Sequence, residues 1–460
     1  MSINNNLYEL GQQYEKKGEY YKAITEYYIK IINKEPSNLI VLNQIGICYF
    51  CLNNFKLASH YFNKILKYNK IIDVYTNISN CYVNMKEYKM AENILLEAYN
   101  EFIKTSSNSD TFKKIISQLG QLYYYFKNYN KSIDFYKKIS KPNDYSTLYS
   151  LSFSYLGNKN FIEGFKLYEN RLKNNDINSQ TKLKERVDIP DIKFWNGVDK
   201  CNRLLIVYEQ GIGDNIMYYR FIVSLSKLYP NMLISYFCRD VVANLFKEYD
   251  NVKIINNVIL SDYDYMAYIM SLPYILKLDN ITPNEENYIK INENKTLYWH
   301  NKLNHNKLKV GFVHNGLLSC FIEKFIPLEE FNILTDLDID LICLCKKDNI
   351  NPTDNHIDPV PKGHNNIKIY DIDKEVPFED TIHILQNIDL LITIDTYIVH
   401  LAGVMNIPTW LLLGEYSEWR WSNSDTTSWY NSVELIRMKG EFKNILQIVK
   451  QKLIKWIASK

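Results

Sequence analysis

Residues 203–214 read Arg203-Leu204-Leu205-Ile206-Val207-Tyr208-Glu209-Gln210-Gly211-Ile212-Gly213-Asp214, and at this stretch the chain changes its grammar. Leu204 to Tyr208 is an uninterrupted apolar run of the length of one buried strand. Gln210 to Asp214 supplies a glycine-bearing turn, and an amphipathic run from Asn215 to Leu228 follows. Strand, loop and helix in that order define a βα unit. Further apolar runs at Leu233 to Phe237, Val252 to Ile255, Leu308 to His314, Asp340 to Cys345, Ile367 to Tyr370, Leu390 to Ile394 and Thr409 to Leu413 continue the pattern with helices between them. The reading is two doubly wound parallel-sheet lobes, residues 203–300 and 301–460, with ligands at the carboxyl ends of the strands.

Upstream of Arg203 the pattern is a repeat. Gly11/Tyr14/Ala23 recurs as Gly46/Tyr49/Ala58, Ser79/Tyr82/Ala91, Gly120/Tyr123/Ser132 and Ser152/Tyr155/Gly164, with a large residue four positions after the last member: Tyr27, Phe62, Leu95, Tyr136 and Tyr168. The period is about 34 residues, lengthened once by Thr105 to Asp110. Small residues let two antiparallel helices approach, and the large residues are expected to fill holes in the next repeat. About five repeats span residues 4–178, and such solenoids present a groove for peptides or proteins. Residues 179–202 lose the pattern and read as a polar linker ending in Phe194-Trp195-Asn196-Gly197, an aromatic pair expected to dock on the next lobe.

Composition narrows the function. The 460 residues carry 54 Lys+Arg against 52 Asp+Glu, so no basic field exists to hold a nucleic-acid backbone. Only seven of the basic residues are Arg, a Lys skew read as codon bias together with the 38 Tyr. The N-terminus lacks the basic and apolar regions of a signal peptide. The most apolar stretch, Leu390 to Leu413, contains Asp395, His400, Asn406 and Pro408, so it reads as protein core rather than a membrane span. Eight scattered Cys fit a reducing compartment, and Cys48-x-x-Cys51 reads as helix packing. A soluble, cytoplasmic protein is the expectation.

Two places can carry chemistry. At the first, Gly211 and Gly213 allow close backbone approach to a ligand, and Asp214 is read either as a helix cap or as a catalytic base. A dinucleotide fingerprint would need glycine where Ile216 stands, which argues against a nicotinamide or flavin cofactor. At the second, Asp395-Thr396-Tyr397-Ile398-Val399-His400-Leu401-Ala402-Gly403 follows a buried strand. Thr396 opens a helix whose free N–H groups suit a diphosphate, and His400 lies one turn on.

Glu209-Gln210-Gly-x-Gly-Asp214, then Ile394-Asp395-Thr396-x-x-x-His400-Leu-Ala-Gly403, Glu418-Trp419-Arg420-Trp421 and Ser428-Trp429-Tyr430 resemble the heptosyltransferase-like glycosyltransferases of family nine, over about residues 194–455. The repeats upstream resemble the tetratricopeptide repeat, and the closest likeness is to bacterial-type fusions of the two. The resemblance implies a GT-B fold, with an acceptor-side lobe first and a nucleotide-sugar donor-side lobe second. It also implies inverting transfer without a metal or other cofactor: Asp214 as base, Lys324 at a basic phosphate-clamping position, and Asp395, Thr396, His400 and Gly403 holding the donor.

The chain departs from that pattern at Val313-His314-Asn315-Gly316 and Lys324-Phe325-Ile326-Pro327, where Lys stands in place of Arg and cannot reproduce a bidentate guanidinium clamp. The functional expectation is therefore a glycosyltransferase whose repeats recruit a protein partner or acceptor. The alternatives are a non-catalytic repeat scaffold with a degenerate transferase domain, or a protein O-glycosylating enzyme resembling the O-linked N-acetylglucosamine transferases.

Overall fold

The computed structural model describes residues 3–105, 109–173, 192–303, 306–316, 324–345, 367–421, 423–438 and 440–460. Residues 179–191 of the expected linker, with Cys320, lie outside the described residues. The chain forms two compact units, Met1–Ser154 and Tyr155–Lys460, and the boundary falls inside the helix Tyr145–Gly157.

Five helix pairs occupy the repeat region. Ile3–Lys16 pairs with residues 20–32, Leu39–Cys51 with Phe55–Leu66, Ile72–Asn84 with Tyr88–Phe102, Asp110–Tyr125 with Tyr129–Ile139, and Tyr145–Gly157 is followed by Phe161–Tyr168. Each pair is closed by one residue in the left-handed region: Gly18, Asn53, Lys86, Lys127 and Lys159, each seven positions after the repeat's first small residue. Next to it, Asn54, Asn128 and Asn160 accept a backbone N–H of the following helix, satisfying a donor that the helix start would leave orphaned.

Phe62 and Tyr136 meet the small residue of their own repeat, and Phe62 also shares a buried cluster with Val74 and Ile78 of the next one. A Cβ at Gly46 would sit 2.5 Å from the Phe62 ring, and one at Gly120 would sit 2.8 Å from Tyr136. In the first repeat the partner of Gly11 is Tyr28, not Tyr27. The reason is a π-helical turn over Ala23–Tyr28, whose wider winding delays the inward position by one residue. Tyr27 instead stacks on Tyr14 at 5.1 Å between ring centroids.

Among the described residues the second unit holds two all-parallel sheets. The first contains β1 (Arg203–Val207), β2 (Leu233–Phe237), β3 (Val252–Ile255) and β4 (Tyr265–Tyr268) in the order β3-β2-β1-β4. The second contains β5 (Leu308–Val313), β6 (Ile339–Cys343), β7 (Ile367–Ile369), β8 (Leu390–Ile394), β9 (Thr409–Leu413) and β10 (Val433–Arg437) in the order β10-β9-β8-β5-β6-β7. The second sheet has the full Rossmann order and the first has its leading two-thirds. Strands β4 and β10 were not expected. Tyr265-Met266-Ala267-Tyr268 is too short to stand out, and Glu434 and Arg437 interrupt the apolar run of β10.

The architecture is therefore an all-α solenoid of the tetratricopeptide type, followed in sequence by two Rossmann-like lobes of the GT-B class. Trp195 docks as expected, buried beside Tyr229, with its backbone N–H donating to the Met266 carbonyl and its indole N–H to the Asp199 carbonyl, whereas Phe194 is half exposed. Among the described residues no helix is long and apolar enough to cross a membrane.

Gly46→Val should lower the thermal midpoint of the first unit, because the new side chain must displace Phe62. The expected loss is about 1–3 kcal/mol, or roughly 2–4 °C per kcal/mol for a unit of this size. Gly18→Val, where an added Cβ meets nothing within 4 Å but φ is +78°, separates backbone strain from packing in the same melting experiment.

Candidate functional site

The loop after β1 is held at almost every residue. Glu209 is buried, and Arg171 grips it with two parallel bonds, Nε to Oε1 at 2.9 Å and Nη2 to Oε2 at 2.7 Å. Burial pushes the Glu209 carboxyl upward against the pull of Arg171. Arg171 Nη2 also donates to Ser271 Oγ at 2.8 Å. Gln210 adopts a left-handed φ of +58°, and its amide donates to Tyr168 Oη at 2.6 Å while Arg239 donates to its carbonyl. Asn215 Nδ2 donates to the carbonyls of Glu209 and Gly211, and its own oxygen accepts Tyr236 Oη–H at 2.7 Å. Such a loop is preorganised by its support.

The helix after this loop runs Ile212–Leu228, starting three residues before the expected Asn215. Asp214 therefore lies in its first turn rather than ahead of it, and its Oδ2 reaches back to accept the Gly211 N–H at 3.1 Å. Asp214 is a helix cap in this sense, yet its other oxygen is engaged elsewhere. Oδ1 accepts from Arg420 Nη2 at 2.7 Å.

The second lobe meets this loop directly. Thr396 is the extended residue that opens the helix Tyr397–Val404, as expected, and His400 lies one turn on. A Cβ at Gly213 would come within 2.9 Å of the His400 ring and 3.4 Å of the Tyr397 Cα, so only glycine permits this approach of loop to helix. Around the junction runs a chain of charges. Asp395 Oδ2 lies 3.0 Å from Lys324 Nζ, which lies 3.7 Å from Glu418 Oε1; Glu418 also pairs with Arg420, and Arg420 pairs with Asp214. Three acids and two bases leave the cluster formally one charge negative.

The protonation of the cluster follows from its burial. Burial pushes the Asp214 carboxyl above its ordinary value, against the pull of Arg420 and with the help of Glu418. Lys324 is held above its usual value because Asp395 and Glu418 together outweigh its own burial. His400 is driven far below 6.5, by burial first and then by Arg420, Arg220 and Lys324, so it is a neutral imidazole. Its Nδ1 bonds Tyr430 Oη at 2.9 Å, and its ring stacks on Trp421. The Thr396 hydroxyl is buried with no partner among the described residues.

Seven of the eight residues singled out in the sequence thus gather at one place: Gly211, Gly213, Asp214, Lys324, Asp395, Thr396 and His400. Gly403 does not join them. It lies almost two turns along its helix, where a Cβ would strike the Tyr430 ring at 2.4 Å, so its glycine serves packing.

Arg171 carries as much of the geometry as any expected residue, and Glu418 and Arg420 appeared only inside a family motif. A signal for them was present. In a chain so skewed to Lys, a retained Arg marks a place where the fork geometry is used. Arg171, Arg220, Arg239, Arg420 and Arg437 each donate to side-chain or carbonyl oxygens from buried or half-buried positions.

No family model matches the chain. It is 28% identical to the RNA polymerase-associated protein CTR9 of Saccharomyces cerevisiae over 127 residues, 28% of this chain and 11% of that protein. The chain thus spans about a tenth of the length of the curated relative it matches. Among solved structures it is similar to MamA at 21% identity, over 39% of this chain and 98% of that one with a TM-score of 0.32. YrrB, described as a TPR protein with an unusual peptide-binding site, matches at 15% identity over 38% and 85%, TM-score 0.31. The E. coli ADP-heptose lps heptosyltransferase II matches at 14% identity over 56% of this chain and 99% of that one, TM-score 0.40.

The Arg171–Glu209 pair makes a stability prediction. Arg171→Met or Glu209→Met alone leaves a buried charge without its partner and should cost about 3–5 kcal/mol. The double variant should recover much of that loss in chemical denaturation, as a double-mutant cycle would show.

Proposed function

We propose that the second unit is an inverting glycosyltransferase that takes a nucleotide-activated sugar and needs no metal for the transfer step. The observation that supports this most is the meeting of Asp214 with the Thr396 helix start and the Lys324–Arg420 cations. All of them lie at or next to the carboxyl ends of β1, β5, β8 and β9, where doubly wound sheets hold ligands. The order of the four motifs, similar to family nine, supports it independently.

In this reading Asp214 removes the proton from an acceptor hydroxyl as that oxygen attacks the anomeric carbon. The bond from that carbon to the diphosphate oxygen breaks on the opposite face, and the nucleoside diphosphate leaves with the negative charge. Lys324, Arg420 and the N–H groups at the start of the Tyr397 helix accept that charge. Donor entry would take Lys324 and Arg420 from their present carboxylate partners, leaving Asp214 less neutralised and a stronger base. Neutral His400 positions the loop through Gly213 and takes no proton. The repeats would present a protein partner or protein acceptor to this unit, so protein O-glycosylation is one form of the same proposal.

One feature of the cluster favours a second reading, a repeat scaffold with an inactive transferase domain. Every charge in it already has a partner, and Asp214 does the work of a cap. A thermal-shift panel of nucleotide sugars discriminates, since a donor at 100 times its dissociation constant stabilises a native-state binding site by about 2.7 kcal/mol. No shift with any nucleotide class, together with no donor hydrolysis, would sink the enzymatic reading.

Asp214→Asn should reduce transfer about 10²–10⁴-fold while the donor-induced thermal shift persists. Parallel loss of both would mark Asp214 as structural. The pH profile carries a sign. The Asp214 carboxyl is raised, so the active carboxylate forms only as pH climbs past the ordinary Asp value near 3.8, and kcat/KM should rise with pH through an acid limb above it. A limb that persists unchanged in the residual activity of Asp214→Asn, or that sits at the ordinary value, would contradict the assignment.

A further inference from the structure

His314, Cys343 and Cys345 are brought together at the carboxyl ends of β5 and β6, one strand away from the charge cluster. Their ligand atoms all lie within 4.8 Å of one another, and the three residues are buried, at 0%, 0% and 6% exposure. The strand register explains the gathering. Phe312 pairs with Cys343 in the parallel β5–β6 ladder, and the Leu344 N–H continues that pairing by donating to the Phe312 carbonyl. Two residues on, His314 comes beside Cys345. Residues two apart on an extended chain project to the same side, so both sulfurs approach the imidazole.

The imidazole is oriented as a ligand would be. Its Nδ1 lies 3.0 Å from the Ile326 carbonyl oxygen, which can only accept, so Nδ1 carries a proton and, in the neutral ring that a metal requires, the lone pair belongs to Nε2. That Nε2 is fully buried with no nitrogen or oxygen partner among the described residues. A carbonyl on one ring nitrogen with the other left unprotonated is the usual outer support of a metal-bound histidine.

We propose that His314 Nε2, Cys343 Sγ and Cys345 Sγ bind one zinc ion. Two thiolates and a neutral imidazole cancel the charge of Zn²⁺, which allows a fully buried ion without an unpaired charge. Binding releases the two thiol protons to solvent and changes no oxidation state. With Zn–S near 2.3 Å and Zn–N near 2.0 Å, tetrahedral ligand atoms sit about 3.5–3.8 Å apart, so the trio contracts by about 1.3 Å at most. These three protein ligands leave one tetrahedral position open. The role is structural: the ion would tie the end of β5 to the end of β6, and it takes no part in the proposed sugar transfer, so its failure and the failure of that reading are separate outcomes.

The test uses the full chain purified from zinc-supplemented cells without chelator. Elemental analysis should find roughly one zinc per chain, and Co²⁺ exchanged for it should give a near-ultraviolet sulfur-to-cobalt charge-transfer band. His314→Asn and Cys345→Ser should weaken zinc retention at least about 10- to 100-fold in competition with a chelating dye, while Cys51→Ser and Cys201→Ser leave it unchanged. Should the site variants fail to fold, the wild-type chain still decides: a mercurial should release its zinc in step with thiol modification. No stoichiometric zinc with no cobalt–sulfur band, or equal retention in the site variants and controls, overturns the proposal and leaves a thiol–imidazole hydrogen bond in the core.

Discussion

The α/β unit depends on one missing side chain. Gly213 lets the loop after β1 lie against His400 and the first turn of the Tyr397 helix, and any Cβ there would collide with the ring at 2.9 Å. That approach brings the switch points of the two sheets together. Each sheet alone offers a strand end and a helix start; joined, they enclose a carboxylate, two cations and the free N–H groups of a short helix. The loop can take this role because its own polar groups are already satisfied by Arg171, Tyr168, Arg239 and Asn215. Its position therefore does not wait for a ligand.

The charge chain from Asp395 to Asp214 has a different logic from the Arg171–Glu209 pair. Arg171 and Glu209 are sealed from solvent, bidentate, and hydrogen-bonded further to Ser271, so they fix a loop. The chain around Lys324 and Arg420 is partly open, with side-chain exposures of 9–31%. Ion pairs in such a setting add little to stability compared with apolar packing, and perturbed acids in a crevice gather at sites that are used. The pairs also keep Asp214 ionisable despite its burial. Removing their cations to a ligand would change its basicity without moving its backbone.

Much of this was legible in residue order. The small-Tyr-small register located all five helix pairs, because close helix approach requires small residues at fixed spacing. Eight of the ten strands among the described residues were readable as apolar runs. The two that were not, β4 and β10, are short or broken by charge, and they are strands because a neighbouring strand pairs with them. Tyr27 was the natural choice to pack on Gly11, and a π-turn handed that place to Tyr28. A fixed helical period cannot foresee an extra residue in one turn. Arg171 was missed for a similar reason, since its role depends on Glu209, 38 residues away. Glu418 and Arg420 stood in a motif, but their pairing with Lys324 and Asp214 depends on segments remote in the chain.

By itself the sequence determined the classes of local structure: helix pairs from a 34-residue register, parallel strands from short apolar runs, and loops that need glycine at strand ends. Those follow from periodicity and sterics, which act over a few residues. Only the tertiary structure decided which loops meet, that Asp214 is held by Arg420, that His400 is neutral, that Gly403 serves Tyr430, and that His314 finds two thiols on the next strand. Each of these depends on burial and on distance between segments remote in the chain, and neither quantity is written in the order of residues.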